Sequence, residues 1–439
     1  MADAALLAAN RPIVTARDEL QRQVALWVLT AVGTLNFVDR QLLAVLIEPI
    51  RADMHFTDTQ FGLLTGLSFA LFYAVMGLPV AWLADRWRRV PIIAAACLLW
   101  SLATALCGFA GNFTQLAMAR FGVGVGEAGG TPPSLSIFAD QHPPERRSHI
   151  IGIFTANGPL GVFLGAAFGG WAAQRFGWRG AFMAVGALGV VAAPLVWLFV
   201  REPARGAMEV RPSVAARPLS LVQSFKLFVS RPSLRLLTLA SGLSAFASYG
   251  MLNWIPAFLM RTQHMPLRDL SFWFAPAAGL SMGVGIWGGG ALVGAFARRS
   301  PRAFALVPSL AALIMVPSLV AALLAPSWQI SLALMVPPMI CCTIYVAPAL
   351  ALVQNLTPPR GRATASAILL LVFNLVGLGG GPLVIGMVSD ALKPAMGAES
   401  LPIALMCAAP AALLAALAHY ALSRVVSQDL NAANQEMDR

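Results

Sequence analysis

Residues 91–110 read PIIAAACLLWSLATALCGFA, twenty residues without a charged side chain. A helix of that length spans about 30 Å, the thickness of a bilayer's hydrocarbon core. Just before it stand Ala81-Trp82-Leu83-Ala84-Asp85-Arg86-Trp87-Arg88-Arg89, which close an earlier apolar run. Two apolar runs joined by a short basic loop read as a chain that crosses a membrane and returns.

The same pattern repeats along the chain. Approximate spans fall at 24–47, 59–83, 91–110, 114–138, 149–173 and 179–200, then at 233–260, 270–296, 303–324, 329–354, 364–389 and 400–423. The 439 residues are 58% hydrophobic and 11% charged, against about a quarter charged in an average soluble domain. The apolar residues cover the whole length, which excludes a soluble domain with one anchor. A lipid-facing β-barrel alternates in segments of about ten residues, half the length of these runs. The reading is therefore an all-α membrane protein of twelve transmembrane helices.

Charge gives the sidedness. With the N-terminus inside, cytoplasmic segments hold about 22 of the 30 Lys and Arg, including Arg298, Arg299, Arg302, Arg360 and Arg362. Both termini are then cytoplasmic, and the net charge of +11 needs no nucleic-acid partner. The organisation is a tail (1–23), a six-helix bundle (24–200), a central loop rich in Arg, Pro and Ser (201–232), a second bundle (233–423) and a tail (424–439). Two six-helix halves suit a transporter built from repeats. The basic cluster after span 2 has its counterpart after span 8. The five Cys lie in apolar runs without metal-site spacing and read as buried thiols. The first twenty residues mix charges and show no signal-peptide pattern.

Four ionisable residues stand inside spans, where hydrocarbon makes them costly and function is the default explanation. Span 1 contains Asn36-Phe37-Val38-Asp39-Arg40-Gln41, and span 4 contains Arg120-Phe-Gly-Val-Gly124-Val-Gly126-Glu127. Arg120 and Glu127 are seven apart and share a helix face. With spans 1 and 4 facing one cavity, the two acids and two bases form a single polar cluster. Burial and a neighbouring Arg act in opposite senses on a carboxyl's protonation, so a shift in the balance can move a proton. Asp39 and Glu127 are the candidate proton-coupling residues, with Arg40 and Arg120 as anion-holding groups.

Gating is expected at the cytoplasmic loops. Asp85, Arg86, Arg88 and Arg89 after span 2, with Arg146 and Arg147 after span 4, can lock helix ends through charge-assisted bonds. Gly158, Pro159, Gly161 and Gly165 in span 5 make a small-residue strip for close helix packing. Span 11 repeats the pattern at Gly377, Gly381 and Gly386. The C-terminal half carries no buried acid or base in spans 7, 8 and 10. Tyr249, Asn253, Trp254 and Phe258, with Asn157 from span 5, are candidate substrate contacts for an amphipathic molecule.

The loop after span 2 and the Arg120–Gly124 spacing resemble signatures of the major facilitator superfamily. The first departs from the pattern at Ala81 and Arg88, where glycines are usual, and the second copy, Gly290 to Arg299, lacks the Asp. Phe37-Val-Asp39-Arg40-Gln, Glu48-Pro49-Ile50, Thr59-Gln60-Phe-Gly62-Leu-Leu-Thr-Gly66, Gly124-Val-Gly126-Glu127-Ala-Gly, Pro143-Pro-Glu145-Arg146-Arg147, Gly177-Trp178-Arg179 and Arg201-Glu202-Pro203 resemble the spinster branch. The resemblance implies two pseudo-symmetric bundles, alternating access and proton-coupled transport of lysophospholipids. It makes Asp39 and Glu127 the protonation positions and Arg40 and Arg120 their partners. It further implies a monomer in a bacterial inner membrane, with protons as coupling ion and no cofactor. Multidrug or amphiphile antiport and small organic-anion symport are the alternatives. No nucleophile elbow, HExxH or Walker A sequence is present, so an enzyme is not expected.

Overall fold

The computed structural model describes residues 16–205, 208, 221–358 and 362–437. Eight helical stretches are long and apolar enough to cross a membrane. Two of them, His149–Phe199 with 51 residues and Thr364–Ala433 with 70, are each long enough to cross twice. Phe113–Glu127 with Thr131–Gln141, and Pro232–Arg261, complete the set of twelve crossings.

Span 1 is Ala16–Val45. Span 2 runs on through Asp58–Gly62, Leu63–Leu67 and Ser68–Arg86, and span 3 is Arg89–Cys107. Span 4 breaks at Ala128–Gly130 and resumes at Thr131. Spans 5 and 6 share the helix Asn157–Phe199, which bends at Gly177 (φ 69°, ψ 171°); a side chain there would be strained in that left-handed backbone. Span 7 is Pro232–Arg261, span 8 ends in Ala275–Ala297, and span 9 is Ala303–Leu323. Span 10 is Trp328–Cys341 with Val346–Asn355. Span 11 joins Arg362–Val372, Phe373–Gly380 and Gly381–Met396, and span 12 joins Ser400–Leu405 and Ala408–Met437.

Three features differ from the sequence-based expectation. Among the described residues, helix already holds Ala16 and still holds Met437, inside the expected tails. The central loop contains a helix, Leu221–Ser230. The turn between spans 1 and 2 contains another, Ile47–Met54. All three extensions are amphipathic or mixed in composition, so hydropathy alone leaves them out. The side chain of Asp85, Arg360, and most of 206–220 lie outside the described residues.

The two halves touch along spans 2 and 11 and along spans 5 and 8. Small residues set the approach. A Cβ at Gly62 would come 2.5 Å from the Pro382 carbonyl oxygen, one at Gly66 2.8 Å from that of Gly379, and one at Gly279 2.9 Å from that of Pro159. Spans 2, 8 and 11 each carry a π-helical segment beside these contacts, a feature common where helices serve a function. The span 2–span 11 strip lies toward the face opposite the chain ends, and the span 5–span 8 strip lies near the middle of the bundle. Toward the terminal face Leu71 and Val75 of span 2, and Leu370 and Leu371 of span 11, are exposed. Among the described residues, the close approaches between the halves thus run from the middle of the bundle to the far face.

Candidate functional site

The four ionisable residues of spans 1 and 4 do meet, and they pair across the two helices rather than along one. Arg120 Nη1 donates to Asp39 Oδ2 at 2.6 Å, and Thr104 Oγ1 from span 3 donates to Asp39 Oδ1 at 2.8 Å. Arg40 Nε donates to Glu127 Oε2 at 2.7 Å. Asp39 and Glu127 are each 1% exposed and Arg120 2%, whereas the Arg40 side chain keeps 21%. Arg40 is thus the rim of a cluster whose other members are sealed.

Local sequence explains this arrangement. Asp39 and Arg40 are consecutive, so their side chains diverge by about 100° around the helix and reach different partners. Gly124 and Gly126 let span 4 approach closely: Cβ atoms there would lie 3.2 Å from the Phe69 carbonyl oxygen and 2.7 Å from the Trp100 amide nitrogen. The Arg40 guanidinium sits over the rings of Phe69 (4.5 Å to the centroid), Tyr73 (5.2 Å) and Phe37 (5.4 Å). A cation held against ring faces in a dry setting is stabilised without a second carboxylate. Tyr249 of the other half is close enough to Arg40 to act on it electrostatically. Glu127 Oε1 and Arg120 Nε are buried without a hydrogen-bond partner among the described residues. The cluster therefore retains an unused acceptor beside the exposed cation.

The remaining candidates are more dispersed. Asn157 is buried beside Gly33, where its amide would collide with any added Cβ. Asn253 Nδ2 donates to the Tyr249 carbonyl at 2.9 Å. Trp254 and Phe258 are fully buried on the closed side. The Trp254 Nε1 donates to the Pro382 carbonyl at 2.9 Å, and its ring stands edge-on to Phe61 at 4.9 Å. These two aromatics close the far side in this conformation and do not line an open wall. In span 5, Gly158 and Pro159 face span 8 through Met282 and Gly283, while Gly161 and Gly165 seat Phe37 and Val38 of span 1.

Among the described residues, Arg89 and Arg147 staple helices within the first half. Arg89 is buried. It donates from Nε to Glu202 at 2.8 Å, from Nη1 to Ser136 at 2.9 Å and to Asp140, and from Nη2 to the Pro203 carbonyl at 3.0 Å. Arg147 donates to the carbonyls of His142 and Ala139 at 3.1 and 2.8 Å. Arg86 folds over Trp82 at 4.2 Å, and Arg88 and Arg146 are exposed.

The ion pairs that join the halves lie on the far face, among residues the sequence reading did not choose for gating. Arg261, ending span 7, grips Asp58 with two bonds of 2.7 and 2.9 Å and Glu48 with bonds of 2.7 and 3.1 Å. Asp58 is fully buried and also accepts from Ser389 Oγ at 2.7 Å. Asp390 of span 11 receives the backbone N–H groups of Asp58 and Thr59 at 3.1 and 2.7 Å, capping span 2 from the opposite half. Carboxylates at both ends of this set, each hydrogen-bonded to charge or to a helix start, form a latch of strong bonds. Arg51, from the same turn as Glu48, also approaches Asp58 at 3.7 Å, so in sequence these acids read as locally paired interfacial charges. Beside the latch, Asp53 holds Arg179 and accepts from Trp178 Nε1 at 3.1 Å. The Arg179 hydrogen bond keeps the Asp53 carboxyl below its ordinary pKa.

Comparison with known proteins places this geometry. Residues 29–382 match the Major Facilitator Superfamily family model. An MFS-type efflux pump of Mycolicibacterium smegmatis is 35% identical over 87% of this chain and 88% of its own length. Protein spinster homolog 1 of Xenopus tropicalis is 26% identical over 83% of this chain and 72% of its own. A crystal structure of a bacterial homolog to the human lysosomal transporter Spinster, inward-facing and unoccupied, superposes with a TM-score of 0.86. It is 31% identical and covers 93% of this chain and 98% of that one. With twelve crossings in two bundles, ion pairs joining the halves on one face and a match over most of its length, this chain is a membrane transporter of the major facilitator superfamily, in its spinster branch.

Proposed function

We propose that the protein is a proton-coupled carrier of amphipathic lipids, lysophospholipids in particular, working by alternating access. The observation that carries this reading is the Arg40–Glu127 pair: a partly exposed cation tied to a sealed carboxylate that retains an unused oxygen. A proton taken up by Glu127 cancels its charge and frees the Arg40 guanidinium. The planar fork of Arg40 can then hold the phosphate of a single-chain lipid, with Tyr73 and Phe69 flanking the headgroup. Loss of the proton restores the internal pair and expels the anion. Asp39, held by Arg120 and Thr104, keeps span 4 in register while this exchange takes place. In this reading the terminal face is cytoplasmic, the membrane is a bacterial inner membrane, and the carrier acts as a monomer.

The relative named as an efflux pump supports a second reading, with the same proton chemistry applied to other amphiphiles. Uptake of labelled lysophospholipid into proteoliposomes, with and without a pH gradient, tests the first. Gradient-stimulated uptake is expected, with competition by unlabelled lysophospholipid. A gradient-driven flux of cationic dyes that lysophospholipid leaves untouched would favour the second, and no gradient effect on any amphiphile would reject both.

A further inference from the structure

A separate apolar feature lies outside the charge cluster. The short helix Leu221–Ser230 lies across the terminal-face ends of spans 7 and 11, and a groove of about 470 Å³ runs between the three. Phe225 and Phe228 form its mouth, Leu239 and Gly242 one wall, and Val372 and Val376 the other. Gly242 cuts the groove deeper, since a Cβ there would stand 3.0 Å from Val372. Phe225, Leu239 and Val376 are exposed at 62%, 54% and 43%, too much apolar surface to face water. Spans 7 and 11 are membrane-crossing helices, so lipid chains, not a soluble protein, reach these walls.

Size and charge narrow the occupant. From Ile368 to Val376 the wall rises about 12 Å at 1.5 Å per residue, close to the roughly 15 Å depth of one leaflet's hydrocarbon. The one charged lining residue is Arg235, in the first turns of span 7. It is exposed and has no carboxylate partner among the described residues, and Lys226 is exposed on the neighbouring short helix. Cations outermost with an apolar slot behind them match a phosphate headgroup with an acyl chain below it. The amphipathic helix Leu221–Ser230 lies where such a headgroup sits.

We infer that this groove holds an acyl chain of an anionic diacyl phospholipid from the leaflet on the terminal face, its phosphate against Arg235. The site is separate from the central cluster, none of whose charged residues lines it, and it stands whatever cargo that cluster serves. The test uses detergent-purified full-length protein and dioleoyl phosphatidylglycerol, with dioleoyl phosphatidylcholine and glycerol phosphate as controls. Melting temperature and lipid retained in native mass spectra are read for wild type, Arg235→Glu and Val376→Trp. Phosphatidylglycerol is expected to raise the wild-type midpoint by about 2–4 °C, phosphatidylcholine less, and glycerol phosphate not at all. Both variants should match wild type without lipid, lose most of the rise and retain one lipid fewer. Arg235→Glu lies on an exposed position, so it remains informative even where the bulkier Trp impairs folding. A full rise in Arg235→Glu, or equal stabilisation by phosphatidylcholine, would overturn the assignment.

Discussion

Asp39 is the residue whose removal should cost most. Its two oxygens take Arg120 and Thr104 at 2.6 and 2.8 Å inside a sealed pocket. Asp39→Asn leaves the Arg120 charge buried without its counterion, which typically costs about 3–5 kcal/mol. Thr104→Val removes one donor and should cost about 1–3 kcal/mol. Thermal unfolding in detergent should therefore rank Asp39→Asn below Thr104→Val, and Thr104→Val below wild type; midpoints equal to wild type in both variants would contradict the sealed pair. At this scale the sequence was informative about identity and silent about pairing. An acid or base in an apolar span is conspicuous because hydrocarbon excludes it, so all four members could be named. Their spacing suggested Arg120 with Glu127 on one face, whereas the partners come from span 1, an arrangement fixed only when two helices pack.

At the level of elements, the far-face latch holds the structure in its present state. Arg261, Glu48 and Asp58 lie at helix ends and Asp390 within Gly381–Met396, with residues from both halves and Arg261 and Asp58 203 positions apart in sequence. Opening that face requires these bonds to break. Arg261→Ala removes the cation that joins Asp58 to the other half, leaving Asp58, among the described residues, only the cation Arg51 of its own half at 3.7 Å, and should shift the population toward the far-open state. Spin labels at His55 and Met396, one on each half at this face, give the readout. A single short distance is expected for wild type and a second, longer one for Arg261→Ala; an unchanged distribution would remove the latch from the account. This device was not legible in sequence, because a charge at a span end looks like ordinary interfacial anchoring. The conspicuous loop charges drew the gating assignment instead. Arg89 illustrates why: its cluster is specific, but its bonds to Glu202, Asp140 and Ser136 tie spans of one half together. Small residues were legible as a packing strip, and Gly161 and Gly165 do seat span 1. The aromatic side chains of span 7 were not, since burial of Trp254 and Phe258 depends on which face is closed.

Over the whole molecule, hydropathy and charge asymmetry were enough for the fold, because a bilayer admits so few arrangements of twelve apolar helices. What they leave out is the conformation, which is carried by contacts between halves. Here those contacts run from the latch to the middle of spans 2, 5, 8 and 11, while the Arg40–Glu127 pair joins spans 1 and 4 inside the first half. On the proposed reading, alternating access is a rocking of two bundles that links protonation inside to bond breakage at the far face. The linkage claim rests on Glu127, and proteoliposomes holding wild type or Glu127→Gln test it most directly. Gln keeps the shape and removes the titration. Wild type should accumulate labelled lysophospholipid against its gradient when a pH gradient is imposed. Glu127→Gln should still equilibrate label by exchange while losing that accumulation. Undiminished gradient-driven accumulation by Glu127→Gln would contradict the account.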